Sequence, residues 1–248
     1  MFEIISPLFT SLYETTGLNF NVFYDQFTFQ QFVSGVQTTC LLAACCLSLS
    51  IIIGIVGAWA QQSRLSAVRI AVNSYIQLFR NTPPYVQLLF FYFGVGQFVP
   101  NINTGDVSVP LIDSFGWAVI TLGCFGGAFN VEIFRAGLQS VPSSLLEATE
   151  ALGYTRFQSF RHVTLPLAIR FSMPALTGNL VSLLKTTSVA SAIAVPEITQ
   201  ICAQIWSDYY NVPEMMFVLF ASYNILVASF LFFMALVERR MKLPGYYA

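Results

Sequence analysis

Apolar residues gather in long unbroken runs along this chain, and short polar stretches separate the runs. A membrane-spanning helix needs about 20 mostly apolar residues, because the hydrocarbon core is ~30 Å thick and a helix rises ~1.5 Å per residue. The clearest run, from about Phe32 to Ala60, carries no charged residue. A second, Ala67 to Phe98, is interrupted by Arg80 and by the pair Pro83–Pro84. Proline removes a backbone donor and disfavours a helical residue before it, so this run is predicted to split into a helical segment and a shorter apolar helix over Tyr85 to Phe98. Further spans are predicted over Phe115 to Leu138, Leu165 to Leu184 and Val212 to Val237.

Ser188 to Ile205, broken by Pro196, is too weakly apolar to cross alone and reads as a partial or re-entrant helix. Gly17 to Gln31 alternates aromatic and polar residues, the pattern of an interfacial segment. The expected organisation is an outer or interfacial segment, 1–31, a transmembrane domain, 32–238, with a polar loop at 139–164, and a tail, 239–248.

Composition supports lipid as the solvent. Of 248 residues 56% are hydrophobic and 9% charged, with a mean hydropathy of +0.67, against about 25% charged in soluble domains. A formal net charge of −1 leaves no basic surface and excludes nucleic acid as a partner. Four of the five cysteines (Cys40, Cys45, Cys46, Cys124 and Cys202) sit in apolar runs and read as small packing residues. The first residues lack a basic n-region, so no cleaved secretory signal is expected.

Charge then sets the expected orientation. Arg64, Arg69 and Arg80 follow the first run, Arg135, Arg156, Arg161 and Arg170 bracket the 139–164 loop, and Arg239, Arg240 and Lys242 follow the last run. Only Lys185 falls elsewhere. The N-terminal region, the 99–114 loop and the 197–214 stretch hold Glu3, Glu14, Asp25, Asp106, Asp113, Glu197, Asp208 and Glu214 and no basic residue. Five alternating spans place every basic loop on one side, with the N-terminus outside and the 139–164 loop and C-terminus in the cytoplasm.

Within that loop Ser144-Leu145-Leu146-Glu147 has capping-box spacing, Leu145 to Leu152 are mostly helix formers, and Gly153 offers a left-handed terminator. A second short helix is predicted from Thr155 to Val163, stopped by Pro166. On physical grounds alone the loop is equally an amphipathic connector on the headgroups or a compact knob below two membrane helices.

Here the residues resemble a family. Glu147-Ala148-Thr149, then Gly153, then Leu165-Pro166 resembles the EAA signature of permease subunits of ATP-binding-cassette importers. Phe79-Arg80-Asn81-Thr82-Pro83, Val131-Glu132-Ile133-Phe134-Arg135-Ala136-Gly137, Gln139-Ser140-Val141-Pro142 and Leu184-Lys185-Thr186-Thr187-Ser188 are similar to blocks of its polar amino-acid subfamily, which carries histidine, glutamate, glutamine, arginine and opines. The likeness extends over about Gly35 to Glu238. It implies an all-α, polytopic membrane protein of about five transmembrane helices with a cytoplasmic coupling helix, the type I importer permease fold. It also implies that Glu147, Ala148, Thr149, Gly153, Leu165 and Pro166 dock into a cytoplasmic ATPase dimer. Further implied partners are a second permease subunit, identical or homologous, and an extracytoplasmic solute-binding protein, in an inner membrane. No Gly-x-x-x-x-Gly-Lys-[Ser/Thr] phosphate loop occurs in the chain, so no cofactor is expected in it and ATP and Mg belong to the partner.

Charges at membrane depth are costly and each needs an account. Glu132 and Arg135, three apart, share a helical face and read as an ion pair or as substrate contacts. Arg80 either snorkels to the interface or lines the path. Lys185, beside Thr186, Thr187 and Ser188, either reaches the outer headgroups or forms with these hydroxyls a polar patch on the path. Many relatives carry an acidic or amide residue where this chain has Thr186, which points to a neutral or acidic solute. His162, the only histidine, has no ligand partner at metal spacing and reads as a solvated loop residue. A stand-alone secondary transporter or channel would show more spans or an internal repeat, and a membrane enzyme would show a nucleophile–base set; neither signal is present.

Overall fold

A computed structural model of the chain describes residues 2–104 and 107–241. Asp106 and Lys242 lie outside the described residues, and for Glu3 only the helical backbone is described. In chain order the elements are α1 (Phe2–Thr16), α2 (Gln26–Ala60), α3 (Ser66–Asn81), α4 (Pro84–Leu89), β1 (Asn101–Thr104), β2 (Val107–Pro110), α5 (Ser114–Gln139), α6 (Ser143–Ala151), α7 (Arg156–Ser159), α8 (Leu165–Thr186), α9 (Ile198–Tyr209) and α10 (Val212–Met241). The strands pair antiparallel, Asn101 opposite Pro110 and Ile102 opposite Val109, where a loop was expected.

Among the described residues, four helical runs are long and apolar enough to cross a membrane: Gln26–Ala60, Ser114–Gln139, Arg156–Ile193 and Val212–Met241. They correspond to the first, third, fourth and fifth predicted spans. The second is shorter. The chain breaks at Thr82, extended at φ −115° and ψ 141°, just before the prolines. α4 then continues through a wide π turn (Phe90–Val95) and a 3-10 turn (Gly96–Phe98), giving a helical stretch roughly 20 Å long.

By packing, the chain forms two compact units. The first holds residues 1–45, 85–121 and 185–227. Its core is the i, i+3, i+4, i+7 face of α9 (Ile198, Ile201, Cys202 and Ile205) set against Val22 and against Met215 and Val218 of α10. Asn211 ties the N-terminal segment to this core, its Nδ2 donating to the Asn19 carbonyl at 2.7 Å and to Asn21 Oδ1 at 2.9 Å. Glu214 accepts from the Asn19 amide at 2.9 Å.

The second unit holds residues 46–84, 122–184 and 228–248. Met173, Leu176 and Leu180 of α8 pack on Met234 of α10, and Ala58, Ile76 and Val131 join α2, α3 and α5. Polar groups in an apolar bundle must find one another, and here they form a ladder. Asn179 Nδ2 donates to Asn130 Oδ1 at 2.8 Å and to the Gly126 carbonyl at 3.1 Å, while Asn130 Nδ2 donates to Ser50 Oγ at 3.1 Å. α5 and α8 meet at Gly137, where a Cβ would lie 2.7 Å from the Ala168 carbonyl oxygen and closer still to Ser172 Oγ.

Candidate functional site

In the second unit, α6 and α7 form a tight elbow. Pro142, extended at ψ 134°, precedes α6, which therefore begins at Ser143 with no side-chain cap. The Ser144–Glu147 capping box does not form, because Ser144 is already inside the helix. The box occurs instead at Thr155, whose Oγ1 accepts from the Gln158 amide at 3.3 Å while the Thr155 amide donates to Gln158 Oε1 at 2.8 Å.

Gly153 does terminate α6, at φ +81°. Its amide reaches the Glu150 carbonyl at 2.9 Å and the Tyr154 amide reaches that of Thr149 at 3.0 Å, the paired bonds of a Schellman turn. Across the bend Thr149 Oγ1 and Ser159 Oγ lie 2.6 Å apart, both buried. Thr149 Oγ1 also donates to the Leu146 carbonyl at 2.7 Å, which commits its single proton and makes Ser159 the donor to it.

Pro166 does not stop the helix that follows. Phe160–Thr164 is a wide π turn that runs directly into α8. The carbonyl a proline ring would crowd, four residues back at His162, belongs to that widened turn, so the helix passes through. Arg156 to Ile193 is thus one helical run. Glu147 and Ala148 are exposed, Thr149 is buried, and the elbow also exposes Leu152 (76%) and Phe157 (69%). His162 is exposed, its Nδ1 3.0 Å from the Gln158 carbonyl.

Nearby in the same unit, Arg135 donates to Glu132 Oε2 at 2.6 Å, and Gln61 Nε2 bridges Glu132 Oε1 (3.3 Å) and Asn73 Oδ1 (3.1 Å). The Arg80 guanidinium lies 5.2 Å from the ring centroid of Phe129, a cation–π contact that neither expectation for Arg80 included.

The first unit holds the hydroxyl segment. Lys185 is exposed in the last turn of α8, Thr186 and Ser188 are half-buried, and Thr187 is fully buried. Thr187–Ile193 winds as a 3-10 helix, pinned by Ser188 Oγ to the Lys185 carbonyl (2.9 Å) and by Ser191 Oγ to the Ser188 carbonyl (2.8 Å). It ends at left-handed Ala194 and α9 starts after Pro196 and Glu197, so the 188–205 stretch is interrupted around Pro196, where its sequence predicts a break.

Glu197 is the residue that sequence reasoning missed. The sequence groups it with the other acids of the 197–214 stretch, yet it is 0% exposed. Its Oε1 accepts from the Gln200 amide (3.0 Å), and its Oε2 from the Thr199 amide (2.9 Å) and the Tyr223 hydroxyl (2.8 Å). Tyr223 in turn accepts from the Thr187 hydroxyl. Burial pushes the Glu197 carboxyl above the ordinary carboxylate range, and these donors pull it back. The available signal was its position just before an amphipathic run, the N-cap place.

Residues 50–243 match the family of binding-protein-dependent transport system inner membrane components, and the chain belongs to it. It is an inner-membrane permease, not a catalytic subunit, and ATP is hydrolysed by a partner protein. The chain is 34% identical over 187 residues to the octopine transport system permease protein of Rhizobium radiobacter, spanning 75% of this chain and 76% of that one. It is 30% identical over 184 residues to the histidine/lysine/arginine/ornithine permease protein of Salmonella typhimurium (72% and 80% covered). Among solved structures, an amino acid ABC transporter crystallised with histidines superposes with a TM-score of 0.75 at 30% identity, covering 85% of this chain and 94% of that one. A methionine ABC transporter in an inward-facing conformation superposes at 0.70 with 20% identity, covering 88% and 100%, a likeness of fold.

Proposed function

We propose that this chain forms half of the translocation path of a polar amino-acid importer and is driven by a cytoplasmic ATPase dimer, which binds ATP and Mg, through the elbow at 143–164. The observation that carries this reading is the elbow's combination of rigidity and exposure. Glu147, Ala148, Leu152 and Phe157 face outward, on a bend closed by Gly153 and the Thr149–Ser159 bond. Exposed apolar side chains on a stiff support suit protein docking better than solvent. The helical run that leaves the elbow carries Leu165 and Pro166 toward one end and Lys185 to Ser188 toward the other.

The charge distribution supports an elbow and C-terminus in the cytoplasm and an N-terminus outside, with residues 84–98 as the second of five crossings and a solute-binding protein docking on the acidic outer side. For the solute, Thr186 supplies a hydroxyl in place of the acid or amide of many relatives, which favours a neutral or acidic amino acid. A basic amino acid or opine is the second reading, favoured by relatives named for octopine, nopaline, arginine, and histidine/lysine/arginine/ornithine.

The test pairs two measurements on the complex purified from its native membrane. Leu152→Asp with Phe157→Ser should strip the ATPase from the permease, and retention of ATPase at wild-type stoichiometry would sink the docking reading. Uptake of labelled glutamine or glutamate in preference to arginine supports the first solute reading, and the reverse order supports the second.

A further inference from the structure

A buried carboxylate is expensive, and breaking one away from its partners is more so, which makes Glu197 a residue to account for. Its position before α9 explains part of it. The amides of Thr199 and Gln200 are two of the free donors at a helix start, and a side-chain oxygen there satisfies them. Capping does not explain the rest. A serine, threonine or asparagine caps a helix without burying a charge, and capping needs no third donor. Yet Tyr223 on α10 donates to Oε2 at 2.8 Å, lies 3.4 Å from Thr199 Oγ1, and accepts from the hydroxyl of fully buried Thr187. The cap is fixed on its other side too, since the Ile198 amide donates to Thr39 Oγ1 at 3.0 Å and Thr39 donates to the Gly35 carbonyl at 2.9 Å.

The result is a relay of polar contacts, Glu197 to Tyr223 to Thr187, ending at the first residue of the 3-10 segment. A 3-10 turn is tight and its hydrogen-bond geometry poor, so it holds its shape only where something else fixes it. Thr187 lies between the two half-buried hydroxyls of Thr186 and Ser188. Fixing its side chain inward fixes the directions its two neighbours take. An ionised acceptor strengthens the relay, because hydrogen bonds to a charged group are the stronger kind.

We infer that Glu197 is a positioning residue for solute recognition: acting through Tyr223, it holds Thr187 and thereby sets how the Thr186 and Ser188 hydroxyls meet the solute. The inference rests on the proposal that residues 185–188 lie on the path. It makes Glu197 a residue that never touches solute yet tunes affinity for it.

The experiment uses the intact complex in proteoliposomes, with uptake measured against concentration of the solute found above. Tyr223→Phe keeps the ring and leaves Glu197 its two amides, so the fold survives. Thr187→Val keeps the shape of the side chain and removes only the hydroxyl. Each is expected to raise KM roughly three- to tenfold, the worth of one hydrogen bond, with the yield of assembled complex unchanged; for Tyr223→Phe, which lies outside the 185–188 stretch, maximal uptake rate and basal ATPase rate should be unchanged too. The double variant should be no worse than either single one, because both break the same relay, and Thr187→Ser should restore KM. Thr186→Ala and Ser188→Ala are the controls for the path itself. If they raise KM while Tyr223→Phe and Thr187→Val leave it within twofold, the relay is only structural and the inference falls. If none of the four moves KM, the path reading falls as well.

Discussion

Ser159 donates a buried 2.6 Å hydrogen bond to Thr149, and this bond closes the bend between α6 and α7. Thr149 thus serves as acceptor from one helix while donating to its own, and the two α6 residues before it, Glu147 and Ala148, are left facing outward. The elbow is rigid because a side chain in its interior, not only its backbone turn, fixes the angle.

Removing that donor should loosen the elbow at small cost. Ser159→Ala leaves Thr149 with its bond to the Leu146 carbonyl and is expected to cost about 1 kcal/mol. Thr149→Val leaves the buried Ser159 hydroxyl without its acceptor, and is expected to cost about 1–3 kcal/mol. Thermal unfolding in detergent orders the two. The ratio of solute moved to ATP hydrolysed should fall in the same order.

Gly153 should be replaceable on steric grounds but not on backbone grounds. An added Cβ would meet nothing within 4 Å, while φ is +81°. Gly153→Ala is therefore expected to lose about 1–2 kcal/mol from left-handed strain alone, and Gly153→Asn less, because asparagine tolerates that region. Equal losses for Ala and Asn, read by the same unfolding assay, would show that something other than φ is at stake.

Gly137 fails for the opposite reason. Its backbone is ordinary, but a Cβ there would sit 2.7 Å from the Ala168 carbonyl oxygen, so α5 and α8 would have to part. Gly137→Ala is expected to destabilise by about 1–3 kcal/mol and to lower the yield of assembled complex. Pairing it with Ser172→Ala should recover little, since the backbone oxygen of Ala168 still stands in the way.

The Glu132–Arg135 pair should matter less than its 2.6 Å contact suggests. The side chains are 26% and 44% exposed and three residues apart on one helix, so the pair joins nothing distant. Arg135→Ala is expected to change stability by less than about 1 kcal/mol. Glu132→Ala should cost more, because it also releases Gln61, the link from the end of α2 to α3 through Asn73. A stability loss for Arg135→Ala larger than for Glu132→Ala would overturn this ranking.

What was legible in the sequence was whatever a stretch of chain settles for itself. Run length and hydropathy marked the four long crossings, because lipid demands ~20 apolar residues in a row whatever the neighbours are. Pro83 and Pro84 marked the break after α3, and Gly153 marked the end of α6, since both act on their own backbone. The same local logic failed where context overrode it. Pro166 was expected to stop a helix, but a π turn upstream made room for it, and the Ser144 capping box lost its place when α6 began at Ser143.

Only the tertiary structure could reveal Glu197. As letters, Pro-Glu before an apolar run is one more acid near other acids; its burial depends on Tyr223, 26 residues away on α10. The Asn130–Asn179 ladder and the Ser159–Thr149 bond are of the same kind, each joining residues 10 or more positions apart. Hydrophobic run length and turn chemistry are properties of neighbours in the chain, so they mark the long helices and those breaks that the local backbone alone decides. Which polar atoms pair depends on how those helices pack, and a buried polar group has no alternative but to find its partner there.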